Sequence, residues 1–345
     1  GWHMKEICTK DAVGSVLCHD ITQIIKDEKK GVLFKKGHVI REEDIPLLLS
    51  VGKEHLFVWE KKEGILHENE AAKILYQICA GEHMHGTEVS EGKIELIADL
   101  DGVLKNRRDA LLAVNSQGEM MIASRHGDFP VKKGDKIAGT RIIPLVIQQE
   151  KMDKACKAAG ADPIFSILPY RTMKVGVVTT GSEVKKGLIK DTFTPVLVEK
   201  LKEYSMEVIG QTMPGDDKAQ ITEDILQFIK NGADMVLCSG GMSVDPDDRT
   251  PGGIQDTGAR IVTYGAPVLP GAMLLISYYE KDGKCIPVIG LPGCVMYAKR
   301  TVFDLVLPRL AAGDEIHKEE VAAYGEGGLC LNCKVCTFPT CGFGK

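Results

Sequence analysis

Lys174-Val-Gly-Val-Val-Thr-Thr-Gly-Ser-Glu183 decides the reading of this chain. An apolar run without polar alternation ends abruptly in glycine and hydrogen-bonding side chains. A strand that is apolar on both sides suits a sheet covered on both faces, the usual state of a parallel sheet. Outward from this stretch the pattern continues. Val196 to Tyr204 reads as an amphipathic helix and Met206 to Met213 as a strand. Ala219 to Lys230 reads as a helix with Ile221, Ile225, Leu226 and Ile229 on one face, and Met235-Val-Leu-Cys238 as a buried strand. Cys285 to Leu291 is a later strand, followed by Pro292-Gly293 and a helix to about Leu310. Strands alternating with helices predict a parallel sheet with right-handed crossovers.

The chain has 345 residues, which suggests about two or three domains. Hydrophobic residues make up 44% and charged residues 26%, the balance of an ordinary globular protein. The net charge of -5 argues against broad nucleic-acid binding. No window approaches the ~18 apolar residues of a membrane span. Neither nucleic acid nor a membrane is therefore expected as a partner. Eleven cysteines, an odd number with no apolar secretory signal before them, fit a reducing cytoplasm better than a disulfide framework. Gly1-Trp2-His3 before Met4 reads as a vector remnant.

Four segments are expected. Residues 4–60 form a small strand and helix module. There Gly31 to Ile40 reads as strand, turn and strand, Ile45 to Leu49 as a helix, and Leu56-Phe-Val-Trp59 as a strand. Residues 61–172 read as a β-rich module of unknown type: a helix over Glu68 to Ala80, then strands at Lys93–Ala98, Leu111–Asn115, Met120–Ser124 and Ile137–Ile147. A short helix is expected at Ala155–Gly160. Residues 173–312 carry the alternating pattern, and 313–345 are a Cys-rich tail.

In an open parallel sheet, ligands bind beyond the carboxyl ends of the strands. Three such ends carry glycine: Thr179-Thr-Gly-Ser-Glu183, Ser239-Gly-Gly-Met-Ser243 and Leu291-Pro-Gly293. Glycine lets backbone approach a ligand and turn its N–H groups outward, which favours phosphate. Asp191, Asp216 and Asp248 follow these loops, and carboxylates beside a phosphate site suit Mg²⁺. Cys294 at a helix start fits either packing or an activated thiol. His83-Met-His85 with Cys79 reads as a loop after a helix rather than as a soft-metal site.

Thr180-Gly-Ser-Glu183, Asp191-Thr192, Asp216-Asp217, Ser239-Gly-Gly241 with Asp248, Pro270-Gly271 and Leu291-Pro-Gly293 recur in order. Together they resemble the molybdopterin-binding domain shared by molybdopterin molybdenumtransferase, molybdopterin adenylyltransferase and the competence-damage protein. Residues 31–59 also resemble a small module of the molybdenumtransferase. The resemblance implies an α/β fold: a three-layer, parallel-sheet domain with smaller β-rich N-terminal modules. It implies molybdenum cofactor biosynthesis, with molybdopterin or its adenylate as ligand, Mg²⁺, molybdate insertion, and a homodimer. By position, Thr180, Gly181, Ser182, Glu183, Ser239, Gly240, Gly241, Ser243, Thr250, Pro292 and Gly293 would hold the ligand. Asp191, Asp216 and Asp248 would act catalytically, and Asp216 and Asp248 would hold the metal. The chain departs from the molybdenumtransferase pattern in two places. No lysine lies in Tyr264 to Met273, and Cys294-Val295 stand where Asn-Pro is expected. Asp248-Arg-Thr-Pro251 is closer to the adenylyltransferase. Adenylylation and a non-catalytic carrier role therefore stay open beside insertion.

Cys330-x2-Cys333-x2-Cys336-x4-Cys341 has metal-ligand spacing. Four thiolates suit tetrahedral Zn²⁺ or an iron–sulfur cluster. The glycine-rich tail is expected to be disordered without metal.

Overall fold

A computed structural model describes residues 4–23, 31–59, 63–181, 185, 187, 193–245 and 248–345. Its centre is a six-stranded sheet. The strands are β1 (Met173–Thr180), β2 (Met206–Gly215), β3 (Met235–Ser239), β4 (Arg260–Tyr264), β5 (Leu275–Lys281) and β6 (Lys284–Leu291). They lie in the order β2-β1-β3-β6-β5-β4. The four neighbours β2, β1, β3 and β6 are parallel.

The sequence suggests a parallel sheet, which these four strands form, and the far edge adds an antiparallel meander of β6, β5 and β4. The cause is local. Lys281 pairs with Lys284 across Asp282-Gly283, and both turn residues have positive φ, +50° and +77°. That is the two-residue hairpin turn whose twist matches the flanking strands.

Side chains alternate across these strands, and so the two sides have separate cores. Val175, Val177, Leu237 and Ile289 face one side, with Leu197 and Leu201 of α1 (Phe193–Lys202) and Phe303, Val306 and Leu310 of a later helix. Val178, Val236, Cys238 and Val288 face the other. There they meet Ile221, Ile225 and Ile229 of α2 (Lys218–Lys230) and Ile254 of α3 (Thr250–Gln255). Each fully buried aliphatic side chain contributes about 1.5–3 kcal/mol. The result is three layers: helices, sheet, helices. Gly176 has a packing role here, because a Cβ on it would stand 2.4 Å from the Phe228 ring of α2.

The segment after β6 departs from the single helix expected there. A 3₁₀ turn at Gly293–Met296 comes first, and α4 (Val302–Ala311) starts anew. Thr301 sets the new start. Its hydroxyl accepts from Phe303 N at 3.1 Å, while Asp304 accepts from Thr301 N at 2.8 Å, a reciprocal capping box.

The N-terminal residues build smaller sheets. Strands Met4–Cys8, His55–Trp59 and Val16–Leu17 form one around Leu17, Ile40, Leu48 and Val58. Lys93–Ala98, Met120–Ser124, Lys136–Ile142 and Met84–Gly86 form an antiparallel sheet packed by helices Glu68–Cys79 and Gln149–Ala159. Leu111–Asn115, expected as a strand, belongs to a helix, Arg108–Asn115. Ala110 and Val114 are buried one turn apart and Leu112 points outward, so the short apolar run has helical rather than strand period. The helix expected at Ala155–Gly160 is longer, spanning Gln149–Ala159.

The tail is not loose. Cys330 N donates to Leu269 O at 2.9 Å, and Gly344 N donates to Gly327 O at 2.8 Å, closing the segment on itself. Phe343 is buried with Phe129 in the main core, with Phe338 packed against it. Apolar anchors outweigh the glycine content on which the expectation of disorder rested.

Candidate functional site

The register of the sheet brings the glycine-bearing ends to one edge. Thr180 pairs with Gly215, Thr179 with Ser239, and Ser239 with Leu291. Gly181, Asp216, Gly240 and Pro292 come next in the chain, so they share the carboxyl edge of the parallel strands. The chain leaves β1 toward β2 on one side and leaves β3 toward the strands on the other. The crevice between β1 and β3 is therefore the topological switch point, where open α/β sheets bind ligands.

Hydroxyls knit this crevice. Thr180 Oγ1 donates to Ser239 O at 3.0 Å. Thr250, fully buried at the start of α3, donates to Gly240 O at 2.8 Å and stands 3.0 Å from Thr180 Oγ1. Gly240 and Gly241 have φ of +84° and +58°. A Cβ on Gly240 would lie 2.8 Å from Thr180 O, and one on Gly241 would lie 2.7 Å from Thr250 Oγ1. Only glycine fits both positions, which leaves a bare backbone cradle. Ser239 Oγ, at its base, is buried and has no hydrogen-bond partner among the described residues. A buried hydroxyl without a partner costs about 1–3 kcal/mol and calls for an explanation, such as a missing ligand.

Acid and cation stand around the cradle. Asp248 accepts from Ser243 N at 3.0 Å and from the Ser243 hydroxyl, folding the loop after Gly241 back on itself. Tyr264, at the end of β4, donates to Met242 O. Burial, and then the Asp248 carboxylate, push its hydroxyl pKa up, so it stays a donor. Asp216 is exposed at the end of β2, and its neighbour Asp217 caps α2 by accepting from Gln220 N at 3.2 Å. Lys185 Nζ donates to Pro214 O at 3.4 Å, and its side chain lies over Gly215.

Lys185 and Tyr264 carry no motif, and sequence reading passed over both. Lys185 supplies a cation at this edge, although none lies between Tyr264 and Met273. Ser182, Glu183 and Asp191 lie outside the described residues. The structure thus brings together Thr180, Gly181, Ser239, Gly240, Gly241 and Thr250, and separately Ser243 and Asp248.

Residues 176–312 match the family described as "probable molybdopterin binding domain". The match runs from β1 to α4. Residues 6–60 match a domain of unknown function.

The molybdopterin molybdenumtransferase of Haemophilus influenzae is 30% identical over 193 residues, which cover 52% of this chain and 43% of the relative. The molybdopterin adenylyltransferase of Pyrococcus furiosus is 27% identical over 155 residues, covering 44% of this chain and 88% of the relative. The chain spans less than half the length of the molybdenumtransferases it matches. A solved structure, the molybdopterin biosynthesis enzyme MoaB from Thermus thermophilus, is 19% identical. It covers 42% of this chain and 98% of its own, with a TM-score of 0.33. At that score the fold assignment rests on the topology above.

In the matched domain, Pro292 is buried beside the cradle and Gly293 is exposed at the start of its 3₁₀ turn. Burial pushes the Cys294 thiol up, so the activated-thiol reading does not hold. Cys238 is pushed up for the same reason. Among the described residues no three His, Cys, Asp or Glu side chains close on a point that would hold a metal ion. In the N-terminal part, Met84 and His85 lie in the strand Met84–Gly86 rather than in a loop, Cys79 is buried and His85 pairs with Asp99. No helix is long and apolar enough to cross a membrane among the described residues.

Proposed function

We propose that this chain binds molybdopterin, or its adenylate, at the switch point between β1 and β3 and acts in molybdenum cofactor biosynthesis. One observation carries the reading: the Gly240–Gly241 cradle closes over a buried Ser239 hydroxyl that lacks a partner among the described residues. Outward-facing amides of the cradle would take the terminal phosphate of the ligand, and the Ser239 hydroxyl would donate a hydrogen bond to it. Lys185 would add charge. Mg²⁺ would be held by Asp248 or Asp216. Each offers a carboxylate on the phosphate edge, and Mg²⁺ needs only one or two beside ligand oxygens. When bound, it would neutralise phosphate charge.

Relatives in two enzyme classes support two steps, insertion of molybdate after adenylate cleavage and adenylylation of molybdopterin. The molybdenumtransferase reading leads on match length, and Asp248-Arg-Thr-Pro251 favours adenylylation. Adenylate, molybdate, a homodimer and a cytoplasmic location belong to the same proposal.

Titration calorimetry with molybdopterin and with its adenylate tests binding, and absence of heat at micromolar protein would sink the reading. AMP release from the adenylate with Mg²⁺ and molybdate identifies insertion. Consumption of ATP with molybdopterin identifies adenylylation. Binding without either leaves a carrier.

A further inference from the structure

The tail cysteines stand apart from the cradle, and the function proposed above makes no use of them. Cys330, Cys333, Cys336 and Cys341 are all free thiols. All four line a single cavity of about 350 Å³ between the closed loop of residues 327–344 and Lys299–Arg300. The loop is held at both ends. Gly344 N donates to Gly327 O, and Leu269 N donates to Gly328 O at 2.9 Å. Cys330 and Cys341 pack against the main core. The cavity is thus formed by docked chain rather than by a free end.

Its wall has the chemistry that thiolates need. Arg300 Nε donates to Cys336 Sγ at 3.5 Å, and its guanidinium lies 4.8 Å from the Phe338 ring centroid. Lys299 lines the same cavity. Two cations beside four sulfurs offset the negative charge that a thiolate-ligated centre brings. Hydrogen bonds to sulfur are also a recognised support of such centres.

Geometry separates the two metals that the spacing admits. A single Zn²⁺ draws four sulfurs to about 2.3 Å from one point. A cluster gives its thiolates different irons, so the sulfurs stand apart around a larger body. Here the four cysteines line one cavity of about 350 Å³, room for a cluster rather than for a single ion.

We propose that this loop is an iron–sulfur site, with Cys330, Cys333, Cys336 and Cys341 as the four thiolate ligands of one cluster. The full chain, purified without oxygen and then reconstituted with ferrous iron and sulfide, is analysed for iron, acid-labile sulfide and zinc, and by visible absorption. The expected result is a brown protein with iron and sulfide in equal amounts. Cys333→Ser and Cys336→Ser should each lose the colour and most of the iron. Circular dichroism should leave the fold unchanged, because Cys333 is exposed. A colourless protein with one zinc per chain would overturn the proposal. So would reconstituted protein without iron, or full iron retention in the Cys333→Ser/Cys336→Ser double variant.

Discussion

Ser239→Ala removes a buried hydroxyl that has no partner among the described residues, so the ligand-free protein should gain stability while ligand binding weakens. An unpaired buried hydroxyl costs about 1–3 kcal/mol. The small void left by alanine takes back part of that, for a net gain of about 1 kcal/mol. In a domain of this size the gain raises Tm by about 2–4 °C. On the binding side, a hydrogen bond to a charged phosphate oxygen is worth about 1.5–3 kcal/mol, or about a ten- to hundredfold loss in affinity. Thr250→Val is the contrast. It keeps the shape but removes the bond to Gly240 O at 2.8 Å, so it should lower stability by about 1–2 kcal/mol. Scanning calorimetry reads the first effect and titration calorimetry with molybdopterin the second. If Ser239→Ala lowers Tm as Thr250→Val does and leaves affinity unchanged, the hydroxyl is structural and the cradle argument fails.

Gly176→Ala should destabilise by about 1–3 kcal/mol through overpacking against Phe228, and Phe228→Leu should restore part of the loss. Equal urea midpoints for Gly176→Ala and wild type would contradict that packing. Burial pushes the Asp128 carboxyl up, but the hydrogen bond and charge of Lys105, with Arg309 and Arg108, hold it below its ordinary value. A depressed carboxylate gives stability that is present above the unfolded value, near about 4, and lost as pH falls through the folded one. Lys105→Met should therefore flatten the acid limb of the stability profile, and an unaltered limb would exclude the pair as its source. Burial pushes the Cys79 thiol up to about 12, so native iodoacetamide labelling read by mass spectrometry should spare it and modify exposed Cys8, Cys156 and Cys285.

Legibility followed the length of the apolar signal. β1 and β6 are eight-residue strands running into glycine turns, β3 is shorter but marked by the glycine pair after it, and each starts within a residue of its expected position. The run at Leu111–Asn115 was short enough to suit strand or helix, and only burial of Ala110 and Val114 decided it. Asp282-Gly283 carries the hairpin turn between β5 and β6, which the reading of alternating helices and strands left out. At the site, motif glycines were legible because backbone geometry excludes other residues at Gly240 and Gly241. Tyr264 and Lys185 were not, because their places at the edge depend on tertiary contacts. The order of β5 and β4 beyond β6 places Tyr264, and Lys185 meets the edge through Pro214 and Gly215. No local pattern encodes either.

The cysteine loop is linked to the helical layer through one carboxylate. Asp304 is almost fully buried in the first turn of α4, where it accepts from Thr301 N as part of the cap. Lys200 of α1 reaches it at 2.8 Å and Arg300 at 3.1 Å. A buried carboxylate must be paired, but two cations on one acid leave positive charge over. Arg300 directs that surplus outward to Cys336, whose thiol its hydrogen bond holds below the ordinary range. The loop thus supplies the second counter-charge of a network whose first partner, Lys200, belongs to the helix leading into β2. The cap itself needs neither cation, because the Thr301 hydroxyl and the Asp304 carboxylate satisfy the backbone donors of the first turn between them. Loss of the cysteines should therefore free Arg300 and leave α4 in place. The sheet edge that carries the cradle stands on α4 and the core beneath it, and does not require an occupied loop.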